Sequence, residues 1–328
     1  MLFSSLALIL CLTPALAQAP TAAAERTRVL ANMQLVMGEL PPAAAKVPLD
    51  VQILEETKTP HYIRKKITFQ AEAGDRVPAY LLVPLARQTG QRLPAMLCLH
   101  QTTTIGKGEP AGLGGKVNLR YAHELAERGY VALAPDYPSF GDYRYDFAAS
   151  KHASGSIKAI WNNMRAVDLL QGLPEVDGDK IGCIGHSLGG HNSLFTAAFE
   201  PRLRAVVSSC GFTSFPKYYG GNLKGWTSPR YMPRIASTYE LKPERMPFDF
   251  ADVLTAIAPR AIFVVAPLHD DNFAVEGVRD VARAIDPVFR RAGAPFLPTF
   301  RYPDCGHDFP PEARKEVYEW LDKVLGKP

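Results

Sequence analysis

The chain has 328 residues, of which 47% are apolar and 21% charged, a composition typical of a folded globular protein with a large core. Its formal net charge is only +4, from 37 basic and 33 acidic residues, and no long run of lysine or arginine occurs. Nucleic acids and anionic membranes are therefore not expected as partners.

The first residues, MLFSSLALILCLTPALAQA, are typical of a secretory signal peptide. The apolar stretch Leu6–Leu12 is too short to span a bilayer, and Ala15 and Ala17 provide the small residues of a cleavage site. We therefore predict a signal peptide at residues 1–17, cleavage after Ala17, and a secreted or periplasmic mature protein. An uncleaved membrane anchor is the alternative for this segment.

The next segments predict a helix followed by antiparallel strands. TAAAERTRVLANMQLVMGEL has the apolar spacing of a helix and ends at Pro41-Pro42, so residues 18–49 are expected to form an N-terminal helical extension. VQILEET, HYIRKKITFQ and VPAYLLVP are strand-like runs, and Gly74-Asp75 between the last two favours a hairpin.

From there, short apolar strands alternate with longer helical stretches. The strand-like runs are PAMLCLH, YVALAPDYP, KIGCIGHS, RAVVSSC, RAIFVVAP and FLPTFRYP. A helical pattern follows each of them except RAVVSSC, which leads into a long irregular segment. The alternation of strands and helices predicts an α/β fold with a mostly parallel central sheet. The nearly continuous apolar strands predict that helices cover both faces of this sheet. We assign this domain to residues 50–328.

The irregular segment, residues 211–250, is rich in Gly, Pro, Tyr and Arg. Connections of this length are usually functional, which favours a lid-like insertion over the site. Aromatic residues in it that could stack on a sugar or on an aromatic substrate are Trp226, Tyr218, Tyr219 and Tyr231. The alternative is that these rings pack on the sheet.

The motif Gly185-His186-Ser187-Leu188-Gly189 matches G-x-S-x-G in an informative context. It follows the apolar run KIGCIG and opens a helical pattern, which is the strand–turn–helix arrangement of a nucleophile elbow. Such a turn is too tight for side chains beside the serine, and the helix N-terminus favours negative charge that develops there. We therefore predict that Ser187 is a catalytic nucleophile.

In sites of this kind, an acid follows a later strand and a histidine lies near the end of the chain. Asp270 and Asp271 come just after the strand RAIFVVAP, and His307 lies in the loop after the last strand. A serine hydroxyl needs a base, so His307 would accept its proton while an aspartate orients the imidazole. We favour Asp270 because it comes first after the strand. Asp271 is the alternative for the acid. If Asp270 is the acid, Asp271 is expected to cap the helix that begins near Ala274.

Two backbone N–H groups are expected to bind the oxyanion of a tetrahedral intermediate. Leu188, directly after the nucleophile, supplies one of them. The loop His100-Gln101-Thr102 supplies the other from Gln101 or Thr102, and we assign it to Gln101. His100 is expected to orient this loop, and a second catalytic base is the alternative role.

No motif in the sequence implies a cofactor or a metal site. G-x-G-x-x-G, a Walker loop and C-x-x-C are missing from it, and no histidine pair is interpreted as a zinc site. His186 and His191, which flank the elbow, are interpreted as packing residues or as residues that support the catalytic groups. The cysteines outside the signal peptide are Cys98, Cys183, Cys210 and Cys305. Export permits a disulfide between the last two but does not require one.

From about Tyr62 to its end, the sequence resembles the α/β-hydrolase superfamily. It is most similar to the branch with dienelactone hydrolases, acetylxylan esterases and the catalytic domains of prolyl-oligopeptidase-type enzymes. The stretches that carry the resemblance are VPAYLLVP, LPAMLCLHQTT, LAERGYVALAPDYPSFGD, VDGDKIGCIGHSLGG and CGHDF. Ser187 stands where dienelactone hydrolases have cysteine. The loop after the PAMLCLH strand has the sequence HQTT, where many lipases have HGGG. The resemblance therefore implies an esterase that acts on small or sugar-linked esters.

The leading hypothesis is a secreted carboxylic-ester hydrolase that acts through an acyl-enzyme on carbohydrate or small-molecule esters. A peptidase or amidase would use the same three residues but also needs a group that recognises an amine or a chain terminus. A third hypothesis is a non-catalytic relative used for binding, because a fold does not guarantee activity. The serine, acid and histidine in the expected order favour an enzyme.

Overall fold

A computed structural model of the protein describes residues 22–86, 88 and 90–327. The predicted signal peptide, residues 1–17, lies outside the described residues. The strands are β1 (Gln52–Lys58), β2 (Tyr62–Glu72), β3 (Asp75–Pro84), β4 (Leu93–Leu99), β5 (Val131–Pro135), β6 (Val176–His186), β7 (Leu203–Ser209), β8 (Ala261–Val265) and β9 (Thr299–Arg301). The α-helices are α1 (Ala22–Met37), α2 (Tyr121–Glu127), α3 (Gly155–Gly172), α4 (Leu188–Phe199), α5 (Arg234–Ser237), α6 (Phe250–Ile257), α7 (Val275–Arg291) and α8 (Pro311–Val324).

The nine strands of the described chain form one sheet in the order β1-β2-β3-β5-β4-β6-β7-β8-β9. The first three strands pair antiparallel, and β3 is also antiparallel to β5. The remaining pairings, from β5 across to β9, are parallel. The predicted α/β class, with antiparallel N-terminal strands and a mostly parallel sheet, is confirmed. Gly74, with a φ of +76°, forms the predicted turn between β2 and β3.

Helices cover both faces of the sheet, and this explains why the central strands are apolar throughout. Every residue of β4, β5 and β8 is buried. One apolar cluster includes residues of α1, α3, α4, α6 and α7, and a second cluster includes α2 and α8. A parallel sheet needs this cover because its strands have no solvated face. None of the helices in the described residues has the length and apolarity that a membrane crossing requires.

The insertion at residues 211–250 consists of short helical turns that are held by aromatic packing. Phe212, Phe215 and Phe248 belong to the same apolar cluster as α4 and α6. Trp226 is also buried, at 3% exposure, whereas Tyr219 is 58% exposed. Several aromatic residues of the insertion therefore anchor it on the helical layer above the sheet.

Helix α1 packs into the core of the domain. Met33 and Val36 are fully buried within the apolar cluster that contains α3 and α6. The Arg26 guanidinium donates a hydrogen bond to the carbonyl of Ala198, near the end of α4, at 2.7 Å. We propose that the described part of the predicted extension, residues 22–49, forms an integral layer of the domain.

Truncation of Met33 tests whether α1 stabilises the whole domain. Met33 is fully buried, so Met33→Ala should lower the free energy of unfolding by about 2–5 kcal/mol. Leu35 lies on the same helix but is 57% exposed, so Leu35→Ala is the matched control, with an expected change under about 0.5 kcal/mol. Urea denaturation followed by circular dichroism measures both values. Equal effects would mean that α1 is not docked on the core.

Candidate active site

Ser187 lies in a sharp turn between β6 and α4. Its φ is 53° and its ψ is −117°. A positive φ is unfavourable for a residue with a side chain and persists where the surrounding structure enforces it. The Ser187 amide donates to the Ser209 carbonyl at 2.8 Å, which ties the turn to the end of β7. The strand, turn and helix predicted around the G-x-S-x-G motif are all present.

Glycines are required around this serine because the backbone leaves no room for a Cβ. A Cβ on Gly185 would lie 2.2 Å from the Gly189 carbonyl oxygen, and a Cβ on Gly189 would lie 1.9 Å from the Leu99 carbonyl oxygen. A Cβ on Gly190 would lie 2.7 Å from the Ser209 carbonyl oxygen. These neighbours are backbone atoms, so no side-chain movement can relieve the contacts. The first turn of α4 therefore lies directly against the carboxyl ends of β4 and β7.

Asp270 and His307 form a pair beyond the carboxyl ends of β8 and β9. His307 Nδ1 lies 2.9 Å from both carboxylate oxygens of Asp270. The Asp270 side chain is only 1% exposed, and it accepts hydrogen bonds from the amides of Asn272 at 2.8 Å and Phe273 at 3.1 Å. A carboxylate fixed in this way favours the proton on Nδ1, which leaves Nε2 of His307 free to accept another.

Asp271, the alternative acid, does not take part in this pair. It is exposed, and in the described part of the chain its side chain has no hydrogen bond or ion pair. The expectation that Asp271 otherwise caps the next helix is wrong, because Ala274 is the N-cap of α7 and no side chain caps it. The geometry thus favours Asp270 as the partner of the histidine.

The His307 ring also packs against residues next to the serine. Its centroid lies 4.8 Å from that of His186, the residue before Ser187, and 6.0 Å from that of Phe273. Among the described residues, the Ser187 hydroxyl has no hydrogen-bond partner. In serine enzymes, the hydrogen bond between the nucleophile and its base is often long before a substrate binds. The structure therefore brings Ser187, Asp270 and His307 to the same edge of the sheet, with the acid–histidine bond already formed.

His186, Cys210 and His307 form a compact group whose donor atoms all lie within 4.8 Å of one another. Burial lowers the pKa of His186, and burial together with the nearby Asp270 carboxylate raises the pKa of Cys210, so the thiol is protonated. In this group, Cys210 Sγ already donates to the Asp308 carbonyl at 3.3 Å, and His307 Nδ1 is already bonded to Asp270. Cys210 and Cys305 are free thiols, so the disulfide permitted between them is not formed.

The loop after β4 is held in place by buried polar contacts. His100 Nε2 accepts a hydrogen bond from the Tyr137 amide at 2.9 Å, and Nδ1 donates to the Gln101 carbonyl at 2.6 Å. These bonds fit the loop-orienting role predicted for His100. Further along the loop, the Lys107 amide and ammonium groups each bond a carboxylate oxygen of Asp136 at 2.7 Å. Both side chains of this ion pair are almost fully buried.

The backbone amides of Gln101 and Thr102 are the two candidates in this loop for binding the oxyanion, and they differ in position. Thr102 borders a cavity together with Ser187 and Leu188. Gln101, the residue assigned from the sequence, is not part of the described cavity wall, and its side chain donates to Glu109 at 3.1 Å. The cavity thus favours the Thr102 amide, and the role of Gln101 stays a prediction. Leu188 opens α4, where backbone N–H groups have no partner within the helix.

The cavity beside the elbow has a volume of about 140 Å³. Its wall consists of Thr102, Ser187, Leu188, His191, Tyr218, Gly225, Trp226, Tyr231, Asn272 and Phe273. Three of the rings predicted to bind substrate, Tyr218, Trp226 and Tyr231, are therefore in the wall. Tyr219 lies outside it, and its hydroxyl donates to the Asn272 side chain at 2.9 Å.

His191 lies in the cavity wall, a position not predicted from the sequence, which indicated packing or support of the catalytic groups. It lies four positions after Ser187, about one helical turn further along α4. This spacing places the two side chains on the same face of the helix, and that was the available signal. The ring packs edge-on against Trp226, with centroids 4.8 Å apart.

The sheet order, the elbow and the acid–histidine pair define an α/β hydrolase. Glucuronoyl esterase from Solibacter usitatus has this fold, with a TM-score of 0.71 and 17% identity over 92% of each chain. Acetyl xylan esterase 1 from Thermoanaerobacterium sp. JW/SL YS485 gives a TM-score of 0.61 at 17% identity, over 92% of this chain and 93% of that one.

The chain belongs to the prolyl oligopeptidase family, whose family model matches residues 118–328. A Bacillus subtilis (strain 168) protein with the name "Putative hydrolase YtaP" is 26% identical over 314 residues. That alignment covers 92% of this chain and 99% of the Bacillus protein. The fold and the family together identify the protein as a hydrolase of the α/β class.

Substitution of Gly189 tests the close packing at the elbow. In Gly189→Ala the new Cβ would meet the Leu99 carbonyl at 1.9 Å, so α4 must shift, and we expect a loss of about 3 kcal/mol or more in the free energy of unfolding. Gly172→Ala is the control, because a Cβ there meets no atom within 4 Å, and it should be neutral or slightly stabilising. Thermal unfolding compares the two variants. Similar melting temperatures would contradict the packing argument.

Proposed function

We propose that the protein is a serine carboxylic-ester hydrolase, with Ser187 as nucleophile, His307 as general base and Asp270 as the acid of the triad. The observation that carries the proposal is the strained elbow at Ser187 beside a histidine whose Nδ1 is 2.9 Å from both oxygens of a buried carboxylate. A serine hydroxyl is a weak nucleophile at neutral pH, and an imidazole held by a carboxylate is the usual means of activating it.

In the proposed mechanism, His307 Nε2 accepts the Ser187 proton while Oγ attacks the ester carbonyl carbon. The bond to the alcohol then breaks, and His307 returns the proton to the departing oxygen. A water molecule next attacks the acyl-enzyme with His307 again as base, which releases the acid and restores Ser187. Asp270 holds the imidazole tautomer and stabilises its positive charge.

The charge that develops on the carbonyl oxygen needs hydrogen-bond donors on the opposite side. We infer that the Leu188 amide at the N-terminus of α4 is one donor, and that an amide of the loop after β4, from Thr102 or Gln101, is the other. The partial positive charge at the start of α4 adds to this stabilisation. The buried contacts of His100 and Lys107 support the role of the loop, because they hold its backbone in place before a substrate arrives.

Esters are the favoured substrates, and we propose carbohydrate or other small-molecule esters for the cavity beside Ser187. Two proteins with the same fold, a glucuronoyl esterase and an acetyl xylan esterase, are esterases by name. Of the described wall residues, none is an Asp or a Glu that could bind the amine of a peptide. Export through the signal-like residues 1–17 would suit an enzyme that acts on such esters outside the cytoplasm. A peptidase or amidase is the second candidate, favoured by membership of the prolyl oligopeptidase family.

Labelling with a fluorophosphonate probe tests the nucleophile. We expect the mature wild-type protein to be labelled and Ser187→Ala to remain unlabelled, because the probe reacts with a serine that a base has activated. Ser209→Ala is the matched control, since Ser209 is a buried serine at the end of β7 and its loss should leave labelling in place. Hydrolysis rates of 4-nitrophenyl acetate and 4-nitroacetanilide then separate an esterase from an amidase. Folded wild-type protein that resists the probe would disprove the proposed mechanism.

The two adjacent aspartates allow a paired test of the acid. Asp270→Asn should reduce kcat on 4-nitrophenyl acetate by about ten-thousand-fold, since the amide favours the wrong imidazole tautomer. Asp271→Asn should stay within about twofold of wild type, because Asp271 is exposed and unpaired among the described residues. Steady-state kinetics of both variants decide the assignment. A large loss in Asp271→Asn with a small loss in Asp270→Asn would reverse it.

A further inference from the structure

A second cavity lies at the opposite end of the parallel strands from Ser187. Its volume is about 450 Å³, compared with about 140 Å³ for the cavity beside Ser187, and it is within the ~300–1,000 Å³ range of small-molecule binding sites. Lys180, in its wall, precedes Ser187 by seven residues along β6, so about 20 Å separates the two cavities. A ligand in the second cavity would therefore not contact the groups of the candidate active site.

Three cationic side chains lie in the wall of this cavity. The wall consists of Asp179, Lys180, Arg204, Pro259, Arg260, Ala261, Pro295, Phe296, Val324, Leu325 and Gly326. Lys180, Arg204 and Arg260 lie near the amino ends of three neighbouring parallel strands, β6, β7 and β8. Asp179 is the single acidic residue of the described wall, so the wall has an excess of positive charge.

Of these three cations, Arg204 is the one without a partner in the described part of the chain. Lys180 Nζ lies 3.6 Å from a carboxylate oxygen of Asp177. The Arg260 guanidinium donates to backbone carbonyls, among them that of Ala197 at 2.6 Å. The Arg204 side chain has no hydrogen bond and no ion pair with any of the described residues. Its guanidinium is therefore available to an anion.

A β-bulge explains why Arg204 is exposed whereas the other residues of β7 are buried. Ile181 of β6 pairs with Leu203, but the next residue, Gly182, pairs with Ala205, so Arg204 is an additional residue in β7. Bulges change the direction in which a side chain points. The bulge therefore accounts for a cation that lines a cavity on a strand whose other residues lie in the core.

The two arginines of the wall repel each other. Arg204 and Arg260 directly precede Ala205 and Ala261, which are partners across β7 and β8, so the two arginines are adjacent. Burial lowers the pKa of Arg260 to about 10, and the positive charge of Arg204 acts in the same direction. An anion beside Arg204 would offset this repulsion, because an opposite charge nearby favours the charged form of a cation.

The rest of the wall is mostly apolar. Its apolar residues are Pro259, Ala261, Pro295, Phe296, Val324 and Leu325. The Lys323 ammonium lies 6.0 Å from the centroid of the Phe296 ring and adds positive charge beside this apolar surface. A ligand that matches both parts of the wall has a negative group and an apolar body.

We propose that this cavity is a binding site for a small aromatic anion, such as an aryl carboxylate, with the Arg204 guanidinium paired to the carboxylate and the Phe296 ring packed against the aromatic ring. A guanidinium matches a planar carboxylate because two of its N–H groups can donate to the two oxygens in parallel. Aromatic rings pack favourably against each other in offset or edge-on arrangements. The inference goes beyond the proposed ester hydrolysis and does not depend on it.

Isothermal titration calorimetry of the wild-type protein with 2-naphthoate tests the site. Two reference ligands separate the parts of the wall, since 2-naphthamide has the same ring without the charge and acetate has the charge without the ring. We expect 2-naphthoate to bind at least tenfold more tightly than either of them, because it alone contacts both parts. Its affinity should also fall as the ionic strength rises, since salt screens the attraction to Arg204.

Variants of the two wall residues connect this affinity to the cavity. Arg204→Met removes the charge at an exposed position, where the fold should tolerate it, and should weaken 2-naphthoate binding at least fivefold. Arg204→Lys keeps the charge but loses the paired donors, so its affinity should be intermediate. Phe296→Ala should weaken binding at least threefold through the loss of the ring contact.

Two further variants are controls that should keep the wild-type affinity. Arg283→Met removes an arginine that is 71% exposed on α7 and lies outside the described wall of the cavity. Ser187→Ala changes the cavity at the other end of the strands and leaves the second cavity intact.

Each other outcome would overturn the inference. Equal affinities for 2-naphthoate and 2-naphthamide, or no binding of 2-naphthoate at millimolar concentration, would show that the cavity does not select an aromatic anion. Unchanged affinity in Arg204→Met, an equal loss in Arg283→Met, or lost binding in Ser187→Ala would place the ligand elsewhere on the protein. None of these measurements requires ester hydrolysis, so a failure of the proposed function would leave the test of this site intact.

Discussion

The close approach of α4 to the carboxyl ends of β4 and β7 is the constraint on which the site depends. The Leu99 and Ser209 carbonyls occupy the space that a Cβ on Gly189 or Gly190 would fill. The chain can turn from β6 into α4 in that space only if Ser187 adopts a positive φ. Such strain costs about 1–3 kcal/mol, and it persists because the surrounding structure fixes the turn. The first eleven residues of α4, from Leu188 to Ala198, are all buried.

The other parts of the site are fixed by different interactions. The loops that carry Asp270 and His307 are joined through their backbones, since the Leu268 amide donates to the Pro303 carbonyl at 2.9 Å and the His269 amide donates to the Cys305 carbonyl at 3.1 Å. The acid and the histidine are therefore held as one unit. The loop after β4 depends instead on buried side-chain contacts, which include an ion pair. Preorganisation of this kind is what a site needs if its donors are to meet charge that develops during a reaction.

The sequence predicts the regular elements of the fold well because strand and helix periodicity is strong in them. The elbow motif and chain order also lead to Ser187, Asp270 and His307, which the structure brings to one edge of the sheet. In irregular segments it is harder to predict which of two neighbouring residues lies in the site, because no periodicity fixes the direction of their side chains. Tyr219 has a φ of +44° and lies outside the cavity wall, whereas the adjacent Tyr218 lies in it. The choice between Gln101 and Thr102 depends in the same way on a loop without a repeating pattern.

Selectivity has to come from parts of the chain other than the elbow and the acid–histidine pair, since those groups treat all esters alike. The insertion at residues 211–250 and the second turn of α4 form most of the remaining wall. Both ends of the insertion are held by one carboxylate, because Asp249 accepts hydrogen bonds from the amides of Phe215 at 3.1 Å and Phe250 at 2.7 Å. Its aromatic residues also pack into the core. The insertion therefore acts as a fixed wall more than as a moving lid, and a preformed wall lowers the cost of ordering when a ligand binds.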